Sequence, residues 1–503
     1  MNVLAINNKV FETWDQLGVK YCHWKSNEHL EEGLSGQTDM DILVCEDDKA
    51  NCERGMLENG YRRFTSQKGT TYPHVEEWLG YDTEQGKMTY IHLHYRIITG
   101  TSYNKEFCFP WHQMVLEERV FDSDYQTYTA SPEMELVILY TRIVLKSADQ
   151  NHIVVSKDYQ KEIEYLMARM TEEKLHRACQ KMLPKSGNEL TAFILKDEKN
   201  SAAWAQIAVA LHQDVDAFRT RSKGNVRLRM NYFAKLYKFR NKLKTKLETP
   251  LITRKIYRKP GISVCFIGAD GAGKSTVSAD VKKFISWKID CMSFYLGSGD
   301  NYNSISKKLI HKAYKVKPSE VNAEHKPAKT ESEGKTEAEK KRGVKQFAKF
   351  AFHVFRASEC VRVAKRAYKM LKKADTYTKK GGIAIFDRFP QLQYEGIYDG
   401  PKVSYYSPQY YNNALIKFFA AREKHYIEKA VEYQPTLVIK LLLPPEESIK
   451  RKPDHNYEEV ARKAEITKNL RFKKSEVIDI DATMQYEDEI KFIKSIIWEH
   501  IVK

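Results

Sequence analysis

The sequence predicts an α/β protein: a doubly wound parallel sheet in the C-terminal half, a smaller α/β domain at the N-terminus, and a helical region between them. Three observations predict this. From residue 261 onward five apolar runs, ISVCFIG, CMSFYLG, GIAIFD, TLVIKLLL and EVIDID, alternate with helical patterns, as parallel strands covered on both faces do. Before residue 130, short strand patterns such as MDILV and YIHLHYRII are mixed with helical stretches. Between the two the pattern is almost wholly helical. A chain of 503 residues is too long for one core, so the expected parts are 1–130, 131–255 and 256–503.

In the first part, Met40, Ile42, Leu43 and Val44 make MDILV a strand packed on helices. Asp39 and Asp41 stand two apart, so both carboxylates point to one face and can share a cation. Ser26 precedes them on a turn. In these features HWKSNEHLEEGLSGQTDMDILV resembles the nucleotidyltransferase superfamily, whose signature is a small residue on a turn followed by Asp-x-Asp on a strand. The resemblance implies a nucleotidyltransferase-like domain in which Ser26 contacts a nucleotide while Asp39 and Asp41 hold Mg2+ and serve catalysis. Two departures stand out: Lys25-Ser26 replaces the Gly-Ser of many members, and His92 in YIHLHYR falls where a third carboxylate belongs. Losing an acid weakens a two-metal clamp, so a fold kept only for binding is the competing expectation. Glu76 and Glu77 are the acids that could substitute. His94, Tyr95 and Arg96 read as scaffold.

The second part opens at SPEMELVILYTRIVLKSA, where Ser131, Pro132 and Glu133 supply a cap, a first-turn proline and a first-turn acid. Leu136, Leu139, Val144 and Leu145 follow near a 3.6 period. Charge is concentrated further on. Between Arg219 and Lys259 stand 15 Lys/Arg against one acid, Glu248, which is +14 of the chain's net +17. That excludes a surface built throughout for nucleic acid and points to one basic element. There VRLRMNYFAKLYKFRNKLKTKLETP sets Leu228, Tyr232, Leu236, Phe239, Leu243 and Leu247 on one helical stripe. Such a helix packs as a linker, lies on an anionic membrane surface, or holds nucleic acid by its phosphates. Nucleic acid is the weakest of the three, because no recognised module accompanies the helix.

The third part carries GADGAGKST, Gly268 to Thr276, between a buried strand and a helix with Val277, Val281, Phe284 and Ile285 on one stripe. A glycine-rich turn there leaves backbone N–H groups pointing inward at the positive end of the helix dipole, which favours an anion. Gly268, Gly273, Lys274 and Ser275 match G-x-x-x-x-G-K-[ST], a P-loop: Gly271, Ala272 and Thr276 complete the cradle, Lys274 reaches the β/γ-phosphates and Ser275 binds Mg2+.

Beyond the loop, IFDRFP ends the third strand candidate, PTLVIKLLLPPEESIKRK follows the fourth, and IDIDA closes the set. With these, residues 261–503 resemble the thymidylate kinase-like branch of the nucleoside monophosphate kinases. The resemblance implies a doubly wound P-loop kinase domain with ATP and Mg2+ as cofactors. It gives Asp387 a metal, Arg388 an acceptor phosphate and Asp270 a position facing the acceptor. It also reads IKRKPDHNYEEVARKAE as a cationic lid, with Arg451 in a catalytic place, Arg462 on the nucleotide and Lys463 beside it. Nothing in the chain matches the family's thymine grip, and YLGSGDNYNSISKKL departs from it after the second strand. The acceptor is therefore a nucleotide, a phosphorylated sugar or another small phosphate ester. KPSEVNAEHKPAKTESEGKTEAEKKRG, 317 to 343, is poor in aromatics and reads as a mobile insertion.

No stretch resembles a signal peptide or a membrane span. The eight cysteines follow neither metal-ligand nor disulfide spacing. A cytoplasmic bifunctional enzyme is expected, the two domains phosphorylating and then nucleotidyl-activating one metabolite, a pairing that by resemblance suits surface-polysaccharide synthesis. The competing expectations are a nucleotide sensor and a nucleic-acid-directed defence protein, each with a degenerate first domain. An oligomer is compatible with all of them.

Overall fold

A computed structural model of the chain describes residues 3–147, 153, 155–196, 200–296 and 337–503, with 337–345 described by their backbone alone. Two compact units emerge. The first is Met1–Lys259 with Phe284–Asp290 and Ile490–Lys503, and the second is Pro260–Lys283 with Cys291–Glu489.

The first unit contains β1 (Tyr21–His23), β2 (Met40–Val44), β3 (Arg62–Phe64), β4 (Val75–Asp82), β5 (Lys87–His94), β6 (Ile97–Thr99), β7 (Phe107–Phe109), β8 (Val120–Asp122) and β9 (Thr127–Thr129). Seven of these form a mixed sheet in the order β3-β4-β5-β2-β1-β9-β8, while β6 pairs with β7. Alternation along the strands divides their side chains between two cores. Ile42 and Val44 join Phe11, Trp14 and Tyr21 on one face, and Leu43 and Cys22 join Trp24, Trp111 and Met134 on the other. Both faces are thus covered. Each deeply buried tryptophan contributes on the order of 2–3 kcal/mol of burial, and two spend their indole N–H well, Trp14 on the Cys52 carbonyl at 3.1 Å and Trp111 on that of Met182 at 3.0 Å.

The helix Pro132–Lys146 begins as its sequence asks: Ser131 Oγ accepts the Met134 N–H at 3.4 Å, and Pro132 occupies the first turn. The helices Lys157–Met167, Glu172–Met182, Gly187–Ile194 and Ser201–Val215 share its core. The basic helix, Lys223–Leu247, differs from expectation in its packed face. Val226 and Phe233 are its buried residues, with Tyr103 stacked on Phe233. The Tyr237 hydroxyl donates to the Lys68 carbonyl at 3.0 Å and Arg240 to that of Ile252 at 2.7 Å. Those anchors turn most of the anticipated stripe outward: Leu228, Tyr232, Phe239 and Leu247 are 74%, 62%, 59% and 63% exposed, while Leu236 and Leu243 are half-buried. No helix among the described residues is long and apolar enough to cross a membrane.

In the second unit all five anticipated runs are strands: β10 (Ser263–Gly268), β11 (Cys291–Tyr295), β12 (Ile383–Asp387), β13 (Leu437–Leu442) and β14 (Glu476–Asp481). They pair in parallel in the order β11-β12-β10-β13-β14. β10 is central, and Val264 to Ile267 are buried, as an inner strand's run of apolar residues requires. The chain leaves β10 toward β11 at one edge and β13 toward β14 at the other. The two connections diverge between β10 and β13, and ligands of open α/β sheets bind at such a switch point, outside the strands' carboxyl ends. Residues 297–336 lie outside the described set, and with them most of YLGSGDNYNSISKKL and of the anticipated insertion. The helix Glu337–Lys379 follows, sharing a small core of Ala357, Val403 and Ile416 with the helix Ala414–Val431.

Candidate active site

The carboxyl end of β10 opens into the glycine loop. Gly271 and Gly273 take φ of +86° and +83°, which side-chain-bearing residues rarely adopt, and a Cβ on Gly271 would come within 3.1 Å of Ser448 Oγ. The turn delivers the chain into the helix Lys274–Ser286, whose first amides have no preceding carbonyl to pair with. Ala272 and Val277 are buried behind the loop; Ser275 and Thr276 are exposed in front. The Lys274 ammonium bends back and donates to the Ala269 carbonyl at 2.9 Å. Burial lowers its pKa to about 8, with Arg388 adding repulsion and Asp270 and Asp387 opposing both.

Asp387 ends β12, opposite Phe266 of β10. Its Oδ2 lies 3.5 Å from Ser275 Oγ, and its Oδ1 is buried without a hydrogen-bond partner among the described residues. A hydroxyl and a carboxylate turned toward each other, with one carboxylate oxygen unsatisfied, form an all-oxygen donor set that fits a hard cation such as Mg2+. Arg388 follows at φ +71°, its N–H given to the Phe266 carbonyl at 3.2 Å. A left-handed arginine stores on the order of 1–3 kcal/mol and occurs where the surroundings enforce it. Burial would lower its pKa, but Asp399, Tyr295, Asp387 and Asp270 raise it above the usual value.

The anticipated lid consists of the helices Pro445–Arg451 and Tyr457–Asn469. Arg451 donates to the Gly271 carbonyl at 3.3 Å and to that of Ala482 at 2.9 Å, bracing the loop. Arg462 instead donates to the Tyr405 hydroxyl at 3.4 Å. Its neighbour Lys463 meets Asp270 at 2.7 Å, and although burial opposes it, this contact holds the Asp270 carboxyl below its ordinary range. Three further participants are not anticipated from the sequence. Ser448 gives its hydroxyl to the Asp270 carbonyl. Tyr398 and Asp399 are the others; they take φ of +48° and +58° one loop beyond Arg388, and the Tyr398 hydroxyl lies 3.0 Å from the carbonyl of the lid's Lys463. The signal available in the sequence was PPEES, whose serine falls in the first turn of the helix after the fourth strand.

The first unit assembles a second cluster. The Trp24 N–H donates to the Asp41 carbonyl at 3.1 Å, which sets the Lys25-Ser26 turn beside β2. Ser26 is itself left-handed, at φ +59°. Lys25 Nζ lies 2.9 Å from Asp41 Oδ2. Parallel pairing places His92 of β5 next to Asp41. His92 Nδ1 is 3.1 Å from Asp39 Oδ2 and 3.6 Å from Asp41 Oδ1, and His94 Nε2 is 3.0 Å from Asp41 Oδ1. Burial alone would raise both aspartate pKa values, but His92 and Lys288, 3.6 Å from Asp39 Oδ1, hold Asp39 well below the carboxylate range, and Lys25, His92 and His94 do the same to Asp41. Burial lowers His94 to about 4. His94, expected as scaffold, thus belongs to the cluster. Neither candidate substitute acid is unengaged. Glu76 is ion-paired with Lys49 and Arg63 at 3.1 and 3.0 Å, and Glu77, across from His92 on β4, accepts from Ser66 at 2.5 Å.

No family model matches the chain. It is 26% identical over 235 residues to YghR of Escherichia coli K12, described as an uncharacterized ATP-binding protein, a match that covers 46% of this chain and 84% of that one. A second protein described in the same words, YghS of the same strain, is 30% identical over 117 residues, covering 23% of this chain and 48% of its own. Among solved structures, deoxyadenosine kinase from M. mycoides with bound dATP covers 46% of this chain and 97% of its own at 14% identity, with a TM-score of 0.25. A superposition that loose bears on neither fold nor activity.

Proposed function

We propose that the second unit transfers the terminal phosphoryl group of ATP to a small phosphate-bearing acceptor, a nucleotide or a sugar phosphate. The observation that carries this is the convergence of Lys274, the Ser275–Asp387 pair and Arg388 at the carboxyl ends of β10 and β12, adjacent strands of a parallel sheet. The similarity to proteins described as ATP-binding supports the choice of nucleotide. Gly268 to Thr276 wrap the phosphates with amides, Lys274 neutralises the outer ones, and Ser275 with Asp387 would hold Mg2+. When bound, that ion draws charge off the leaving oxygens. Arg388 presents a planar fork to the acceptor's phosphate, a geometry lysine lacks, and Asp270, fixed by Lys463, faces the same space. Incubation with Mg-ATP, CTP and a panel of nucleoside monophosphates and sugar phosphates, read by mass spectrometry, tests the assignment. A phosphorylated product lost in Lys274→Ala is expected; products unchanged in that variant would end the kinase reading.

For the first unit the finer reading is nucleotidyl activation of the same metabolite through Ser26, Asp39 and Asp41, in a polysaccharide pathway, with CTP consumption lost in Asp39→Asn as its test. A second reading, a nucleotide sensor without turnover, is favoured by Lys25, His92 and His94 already neutralising both carboxylates. The outward stripe of the basic helix, flanked by the exposed Lys235, Lys238 and Lys242, favours an anionic membrane over nucleic acid as its partner. Sedimentation with phosphatidylserine vesicles, lost in Leu228→Glu/Phe239→Glu, is the check.

A further inference from the structure

We propose that Asp41, His92 and His94, with Asp39 alongside, form a binding site for a divalent first-row transition ion such as Zn2+, in place of the all-carboxylate Mg2+ site of the resemblance. One oxygen or nitrogen from each of Asp41, His92 and His94 lies within 4.8 Å of the others. A tetrahedral ion with bonds of about 2.0–2.1 Å separates its ligand atoms by roughly 3.3 Å. Within the group the separations from Asp41 Oδ1 bracket that value, 3.0 Å to His94 Nε2 and 3.6 Å to His92 Nδ1, while Asp39 Oδ2 lies 3.1 Å from His92 Nδ1 at the edge of the group.

The cluster rests on rigid elements. His92 and His94 alternate on β5 and so share a face, and β2 brings Asp41 alongside in register. Ligand orientation is also provided for. Tyr90 is hydrogen-bonded to His92 Nε2, which can keep the ring's proton there and leave Nδ1 to face the carboxylates. Lys25 takes Asp41 Oδ2 and leaves Oδ1 toward the imidazoles. Metal binding would move the ring proton that His94 Nε2 now gives Asp41 to Nδ1, which is buried without a hydrogen-bond partner among the described residues. Two imidazoles with a carboxylate select borderline ions such as Zn2+, whereas Mg2+ asks for oxygen alone. This inference is independent of the kinase reading, because its test contains no nucleotide.

The test titrates the full chain carrying Ser275→Ala/Asp387→Asn, which removes the other cation site, with ZnCl2 or MgCl2 by calorimetry, and records zinc-edge X-ray absorption on the unsubstituted chain. One Zn2+ per chain is expected, with imidazole scattering and N/O distances near 2.0 Å, while Mg2+ binds far more weakly. Tyr90→Phe should weaken Zn2+ by roughly 10–100-fold, and His92→Gln/His94→Gln by more. Unchanged binding in the double histidine variant, equal affinity for Mg2+, or a thiolate shell near 2.3 Å from the free cysteines would each overturn the proposal. If the double variant does not fold, the absorption spectrum of the unsubstituted chain decides alone.

Discussion

Around the glycine loop and around Asp41 the same materials, lysines beside aspartates, are arranged to opposite effect. In the second unit Lys274 is buried beside Arg388 and donates to a carbonyl, while Asp387 keeps an oxygen unsatisfied among the described residues. In the first, Asp41 is met by Lys25, His92 and His94 together. A site that must take up a charged ligand leaves its polar groups underused, because each unmet group costs about 1–3 kcal/mol that the ligand returns. A site whose charges already cancel gives a phosphate or a hard cation little reason to bind. It suits a ligand that can displace imidazole protons.

That contrast can be broken from its strongest side first. Lys274→Ala should lower phosphoryl transfer by roughly 10²–10³-fold, measured as ADP formation against the acceptor found in the panel, since it removes a donor aimed at developing charge. A smaller residual effect would place the stabilisation elsewhere in the loop. Next comes pH. Lys274 is charged below its pKa of about 8 and neutral above it, so ATP affinity should fall as pH rises through that value, by up to about tenfold per unit. Lys274→Arg, which stays charged, should flatten the profile; a slope that survives would assign the titration to another group.

Gly271→Ala should weaken nucleotide binding by about fivefold, because alanine at positive φ costs on the order of 1 kcal/mol and the added carbon would press on Ser448. The smallest effect lies in the first unit. Burial raises Glu135 to about 8, above its unfolded value near 4.5, so the folded chain holds a proton that the unfolded chain releases. The stability this contributes is complete below about 4.5 and is lost as pH climbs toward 8. Glu135→Gln should remove that slope and raise the melting midpoint at pH 7 by about 2–4 °C. A steeper slope in the variant would reverse the assignment.

The phosphate loop was legible because its nine residues are contiguous and its glycines have a stereochemical reason to be there. Asp387 and Arg388 were legible as the end of an apolar strand. Ser448 was not, nor was the pairing of the lid's Lys463 with Asp270: they reach Asp270 from 178 and 193 positions away. No local period records such a meeting. His94 was read as scaffold because one strand's alternation shows that His92 and His94 share a face but not what stands opposite them.

The amino-acid order alone determined the five parallel strands, the glycine turn and the capped start of the helix at Ser131, since each depends on backbone geometry and near-neighbour chemistry. It also showed that the basic helix has an apolar stripe. Only the tertiary structure decided that most of this stripe faces outward while Val226, Phe233 and Tyr237 pack, and that both imidazoles reach one aspartate. Periodicity fixes which side chains lie together on an element; which surface they meet depends on the neighbours that compete for contact, and those come from distant parts of the chain.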